Sequence, residues 1–181
     1  FDIIDNLKPS WRNELEITDA LDNLLKQNNN ISYEKITDYW KDTGTPEDIL
    51  HANGEIINKH PDFQCRHFVD NHSNVENFNI INNVILGENC EFGQDIIIHG
   101  PVIIGNNCKI LAKSRIGPNV SIGDNSIISA SLIVNSIIMQ NCKINSTVEI
   151  KDSIIASNSE IKDEVGNKKV FLLGEGSKLS L

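Results

Sequence analysis

The chain has 181 residues, a formal charge of -9 and a pI near 4.9, with 39% apolar and 6% aromatic side chains. That acidity argues against a nucleic-acid or anionic-membrane surface, both of which need clustered Lys and Arg, and no apolar run approaches the ~18 residues of a membrane span. One or two domains fit this length, with a core of aliphatics rather than rings.

The first sixty residues read as a piece of an α/β layer. Thr18 is the expected N-cap of a helix with Asp19 in its first turn and Leu21, Leu24 and Leu25 on its apolar face, ending at Lys26 before Asn28, Asn29 and Asn30. Ile31, Tyr33 and Ile36 alternate loosely with polar residues and predict an extended strand. A second helix starts at Thr45, with Pro46 at its first position, an acid at Asp48, and Ile49, Ala52 and Ile56 as its apolar face. Residues 61–79 have no period and serve as a connector to a long repetitive region.

From Ile80 an aliphatic or aromatic residue returns every six positions: Ile80, Leu86, Phe92, Ile98, Ile104, Ile110, Ile116, Ile122, Ile128 and Val134. The frame then jumps by four to Ile138, runs through Ile144 and Ile150, slips to Ile155 and ends at Ile161. Gly87, Gly93, Gly105, Gly117 and Gly123 follow ladder residues, where a corner excludes a Cβ. Asn89, Asn107, Asn119 and Asn125 sit where the left-handed backbone region is wanted. Cys90, Val102, Cys108, Ser114, Val120 and Ser126 are small or β-branched residues that fit beneath a tight bend. Short strand, corner, short strand, repeated, is a parallel β-helix. A strict six predicts the left-handed triangular form, three hexads to a coil, over residues 80–164. Residues 165–181 leave the frame, and Val170 to Leu173 with Lys178 to Leu181 read as a terminal strand or cap.

Four cysteines, Cys65, Cys90, Cys108 and Cys142, include no CxxC pair, so no zinc site is expected. Cys90 and Cys108 are eighteen apart and stack on neighbouring coils, in one column with Ser126. A disulfide or a metal column is one reading of that stack; small buried thiols filling the corner position is the preferred one, because Ser126 shares the column, and it places the chain in a reducing compartment, the cytoplasm. No secretory signal is visible, and the start at Phe1 instead of Met reads as a chain cut from something longer.

The segments KPSWRNELEITDA (Lys8 to Ala20) and YWKDTGTPEDILHAN (Tyr39 to Asn53) resemble the sugar-1-phosphate nucleotidyltransferases, in particular the long form of glucose-1-phosphate thymidylyltransferase. The hexad prism and the closing VFLLGEGSKLSL are similar to that form's C-terminal domain. The resemblance implies an enzyme that joins dTTP to glucose-1-phosphate with release of diphosphate and uses Mg²⁺. It also implies that the nucleotide loop, its catalytic cations and the first metal-binding carboxylate match no residue here. This chain would then be inactive alone and bind no metal tightly. By resemblance, Asp42 matches the second magnesium-binding carboxylate and Arg12 an arginine that approaches the sugar phosphate. Trp40 stands where the family packs an aromatic near the hexose, and Glu14 and Glu16 support the sugar pocket. Asn13 departs from the usual glycine after that arginine, which is expected to alter the loop holding Arg12.

Two further readings compete. Hexad prisms also occur in acyltransferases that use a histidine and acetyl-CoA, and His99 is the one histidine in the ladder; yet it stands at a corner, and the unbroken frame leaves no inserted loop for an acyl-CoA pocket. The chain could instead be a non-catalytic assembly module. The flat faces and open ends of such a prism suit self-association, so a homo-oligomer is expected, with a trimer favoured.

Overall fold

The computed structural model describes residues 2–60, 78–162, 172–173 and 178–180. It separates into two compact units, Phe1–Trp40 and Lys41–Leu181. Cys65 and most of the connector fall outside the described residues. Among those that are described, no helix is long and apolar enough to cross a membrane.

The first unit holds a short helix α1, Asp2–Asp5, and helix α2, Ile17–Lys26. Helix α2 starts two residues before the sequence expectation, with Glu16 rather than Thr18 at the N-cap position and no side-chain cap. The Glu16 carboxylate is engaged elsewhere, by Ser10. Ala20 is buried, whereas Leu21 and Leu25 of the expected apolar face are exposed. No strand forms between Ile31 and Ile36. With no described strand in this unit to pair with, the segment is open backbone, and Tyr33 and Ile36 are exposed.

The second unit opens with helix α3, Pro46–Lys59, whose N-terminus follows the expected chemistry. The Thr45 hydroxyl accepts from the Asp48 amide at 3.2 Å, and Pro46 lacks a donor only where the first turn needs none. Its buried stripe is Leu50, Gly54 and Ile57, one step round the helix from the expected Ile49, Ala52 and Ile56. The cause is its partner. The Ser121 hydroxyl donates to Asn53 Oδ1 at 2.7 Å, and Gly54 lies beside the Asn119 side chain, so this side of α3 faces the coils.

Those coils form a left-handed parallel β-helix of about 5 turns. One six-stranded face stacks Val84–Leu86, Val102–Ile104, Val120–Ile122, Ser136–Ile138, Ile154–Ile155 and Leu172–Leu173, all in parallel register. The other two faces join into one nine-stranded sheet through the long strands Ile127–Val134 and Lys143–Lys151. Lys178–Ser180 pairs with Glu160–Lys162, so these late strands extend the stack by one rung.

The ladder fills the interior. Ile98, Ile104, Ile110, Ile116, Ile128, Ile138, Ile144, Ile150, Ile155 and Ile161 are fully buried, while Ile80 and Phe92 at the first coil pack partly against them. One position differs from the count in sixes: Ile133, not Val134, points inward. Ile127–Val134 runs straight through what is a corner in earlier coils, and Ile133 pairs in register with Ile116. The ladder therefore takes two steps of five, Ile128 to Ile133 to Ile138, instead of a six and a four.

The corners repeat one chemistry. Gly87, Gly105 and Gly123 donate their amides to Ile104, Ile122 and Ile138 of the next coil at 2.7, 2.8 and 2.8 Å. A Cβ on Gly123 would stand 2.6 Å from the Gln140 amide nitrogen, an approach only glycine permits. Asn89, Asn107 and Asn125 hold φ of 56, 55 and 58°, and their amides link one to the next up the stack. Below them Cys90, Cys108, Ser126 and Cys142 donate to the carbonyls of Gly105, Gly123, Met139 and Ala156 at 3.1, 3.3, 3.2 and 3.2 Å. Thiol and hydroxyl do the same job in one column, which is why Ser126 interrupts the cysteines.

Candidate functional site

The loop before α2 is built around Ser10. Its hydroxyl donates to Glu16 Oε1 at 3.0 Å and accepts from the Arg12 amide at 3.2 Å. Its own amide donates to the Glu14 carbonyl at 2.8 Å, and its carbonyl accepts from the Asn13 amide at 2.9 Å. Asn13 turns the chain with φ 61°. That is the left-handed conformation a glycine would supply, and Asn adopts it more readily than other residues with a side chain.

This closed loop presents Arg12 and Glu14 to solvent and half-buries Glu16, whose carboxylate is the loop's staple. The Arg12 guanidinium lies over the Trp11 ring, 5.1 Å from its centroid. Among the described residues no carboxylate forms an ion pair with Arg12. Trp40 closes the first unit and is 68% exposed, so it is a surface aromatic and not a core one.

Asp42 belongs to the second unit and is exposed on the segment leading into α3. Its neighbour Lys41 pairs with Asp48 at 2.7 Å, and that ammonium, with the Thr45 hydroxyl, holds the Asp48 carboxyl below its ordinary range. Lys41 is thus tied to the start of α3 beside Asp42. Among the described residues no group of three His, Cys, Asp or Glu gathers to hold a metal ion. Asp42 offers one carboxylate there, and magnesium is typically held by one or two carboxylates together with substrate phosphate oxygens and waters.

His99 lies half-buried at a corner, its Nε2 3.0 Å from Asn82 Nδ2. No loop is inserted among the described coils around it. A groove of ≈ 320 Å³ that the sequence does not signal lies between α3 and the coils, lined by Glu47, Leu50, His51, Gly54 and Glu55 on one side and Asn119, Asn135 and Asp152 on the other. Helical spacing on α3 and the sixteen- and seventeen-residue coil steps bring these together, and neither period alone reveals the meeting.

Comparison with known proteins gives two family matches, the first running past the Trp40/Lys41 boundary to the end of α3. A Nucleotidyl transferase family model matches residues 1–59, and a GMPPB C-terminal domain model matches residues 98–180. The low-salt glycan biosynthesis nucleotidyltransferase Agl11 of Haloferax volcanii is 33% identical over 100% of this chain and 50% of its own length. A glucose-1-phosphate thymidylyltransferase of Streptomyces antibioticus is 35% identical over 97% of this chain and 48% of its own, and a Bifunctional protein GlmU of Methanococcus aeolicus is 37% identical over 89% and 34%. The chain therefore spans about half the length of the first two relatives. Family models and relatives named as nucleotidyltransferases thus match the chain from the Ser10 loop to the last coil, along about half of the length of the first two relatives.

Proposed function

We propose that these residues supply the sugar-phosphate side and the scaffold of a glucose-1-phosphate thymidylyltransferase. In that reaction a phosphate oxygen of glucose-1-phosphate attacks the α-phosphorus of dTTP, the bond from that phosphorus to the bridging oxygen breaks, and diphosphate leaves with dTDP-glucose as product. Arg12 neutralises the sugar phosphate as it approaches, and Trp40 packs against the hexose. Glu14 and Glu16 shape the sugar pocket, Glu16 by holding Ser10. Asp42 contributes one carboxylate toward Mg²⁺, the remaining ligands coming from other residues and the diphosphate. The β-helix carries the fold and assembles copies of the chain, a trimer being the favoured form.

The observation that supports this reading best is the Ser10 loop: a stapled turn, within the segment matched by the nucleotidyltransferase model, that leaves the Arg12 guanidinium without a carboxylate partner among the described residues. The experiment is an assay of dTDP-glucose formation from dTTP and glucose-1-phosphate. The purified 181 residues alone are expected to give none, and the same residues joined behind the first half of the Streptomyces antibioticus relative are expected to give turnover. Product from the chain alone, or a hybrid that folds and stays inactive, would refute the proposal.

A further inference from the structure

We propose that Trp11 is a positioning residue for the sugar phosphate: its indole face holds the Arg12 guanidinium in the orientation that receives the anion. The inference rests on the proposed meeting of Arg12 with a phosphate. The ring is 89% exposed, so burial in a core does not account for its place. What it does contact is the guanidinium, 5.1 Å from its centroid and within the ~6 Å at which a cation is drawn to an indole face. The backbone beneath is held at Arg12. The Arg12 amide donates to the Ser10 hydroxyl, which donates in turn to Glu16, so the cation leaves a stapled turn beside the ring of the preceding residue.

An arginine side chain free in water has many rotamers to lose when it binds, and a stacked guanidinium has already lost several of them. Stacking on a ring face occupies the flat of the guanidinium and leaves its edge donors free, and a phosphate takes those edge donors in a forked pair. Among the described residues no carboxylate competes for them. The sequence pattern alone does not mark Trp11, since an aromatic next to an arginine has no period; its role comes from the stacked geometry.

The test is a titration of the full chain, labelled with 5-fluorotryptophan, with glucose-1-phosphate and separately with glucose, read by ¹⁹F NMR of the two tryptophans. Glucose-1-phosphate is expected to shift the Trp11 resonance saturably, and glucose is not. Trp11→Ala, followed through Trp40, is expected to weaken glucose-1-phosphate binding by about three- to fivefold, the worth of an exposed cation–π contact. Trp11→Phe, which keeps a ring face, is expected to recover most of that loss, and Trp11→Leu, which fills space without a ring face, is not; recovery by Leu equal to that by Phe would overturn the inference. Binding unchanged in Trp11→Ala but lost in Arg12→Ala would overturn this inference and leave the Arg12 reading standing. Binding unchanged in Arg12→Ala would overturn both. A loss in Trp11→Ala that Trp11→Phe does not relieve would also overturn it.

Discussion

At single residues the corners are the least forgiving positions. Gly117 has φ 100°, and a Cβ there would run into the His99 carbonyl and the Val102 side chain. Gly117→Ala is therefore expected to lower stability by roughly 3 kcal/mol or more in urea unfolding, combining backbone strain with a clash against main chain that cannot yield. The thiol column behaves in the opposite way. Ser126 already does for its coil what Cys108 does for the one before, so Cys108→Ser should stay within about 1 kcal/mol of the parent at neutral pH. The pH dependence should differ more. The Cys90 thiol beside it, and then burial, push the Cys108 thiol above its ordinary range, and burial does the same to Cys142. An unfolded thiol ionises near pH ~8.5. Because the folded chain withholds that ionisation, stability is full below this pH and falls as pH rises above it. Unfolding midpoints measured from pH 7 to 10 should show this decline, less steeply in Cys108→Ser.

Among elements, the ladder strand Ile127–Val134 is where the order of the coils can be tested. Ile133 is fully buried and Val134 is partly so. Ile133→Ala should cost about 2–5 kcal/mol and Val134→Ala under about 1.5, measured as denaturant midpoints at constant slope. Equal costs would mean that the frame turns elsewhere. The same strand marks the limit of what the sequence shows. The six-residue period is legible because ladder, glycine, asparagine and small residue repeat together, so each coil confirms its neighbours. At Ile133 and Val134 two aliphatics adjoin, and counting cannot choose between them; the register with Ile116 chooses. Helix α3 repeats the problem, for Ile49 adjoins Leu50 and Ile56 adjoins Ile57, and only Asn119 and Ser121 on the coils decide which stripe is buried. The strand expected at Ile31 to Ile36 fails for a related reason: alternation needs a neighbouring strand, and none is described in that unit.

For the whole molecule, the division of labour we propose is between a β-helix whose corner polar groups mostly link one coil to the next and a short loop whose cation has no ion-pair partner among the described residues. The motif around Arg12 makes that loop legible, and so does Asn13, which keeps the left-handed turn although its residue type departs from glycine. The stapling of Ser10 to Glu16, the stacking of Arg12 on Trp11 and the groove beside α3 are not legible, because they join residues by geometry and not by spacing. We propose that the chemistry belongs to Arg12 and Asp42 and that the prism carries none. The most direct test of this claim is turnover of the hybrid enzyme carrying Arg12→Ala, Asp42→Asn or His99→Ala. Loss of a charge facing the reacting phosphates is expected to lower kcat by about a hundredfold or more in the first two, with His99→Ala within about twofold of the parent because its ring meets Asn82 at a corner. Loss of turnover in His99→Ala, or near-parental rates in both others, would contradict the claim.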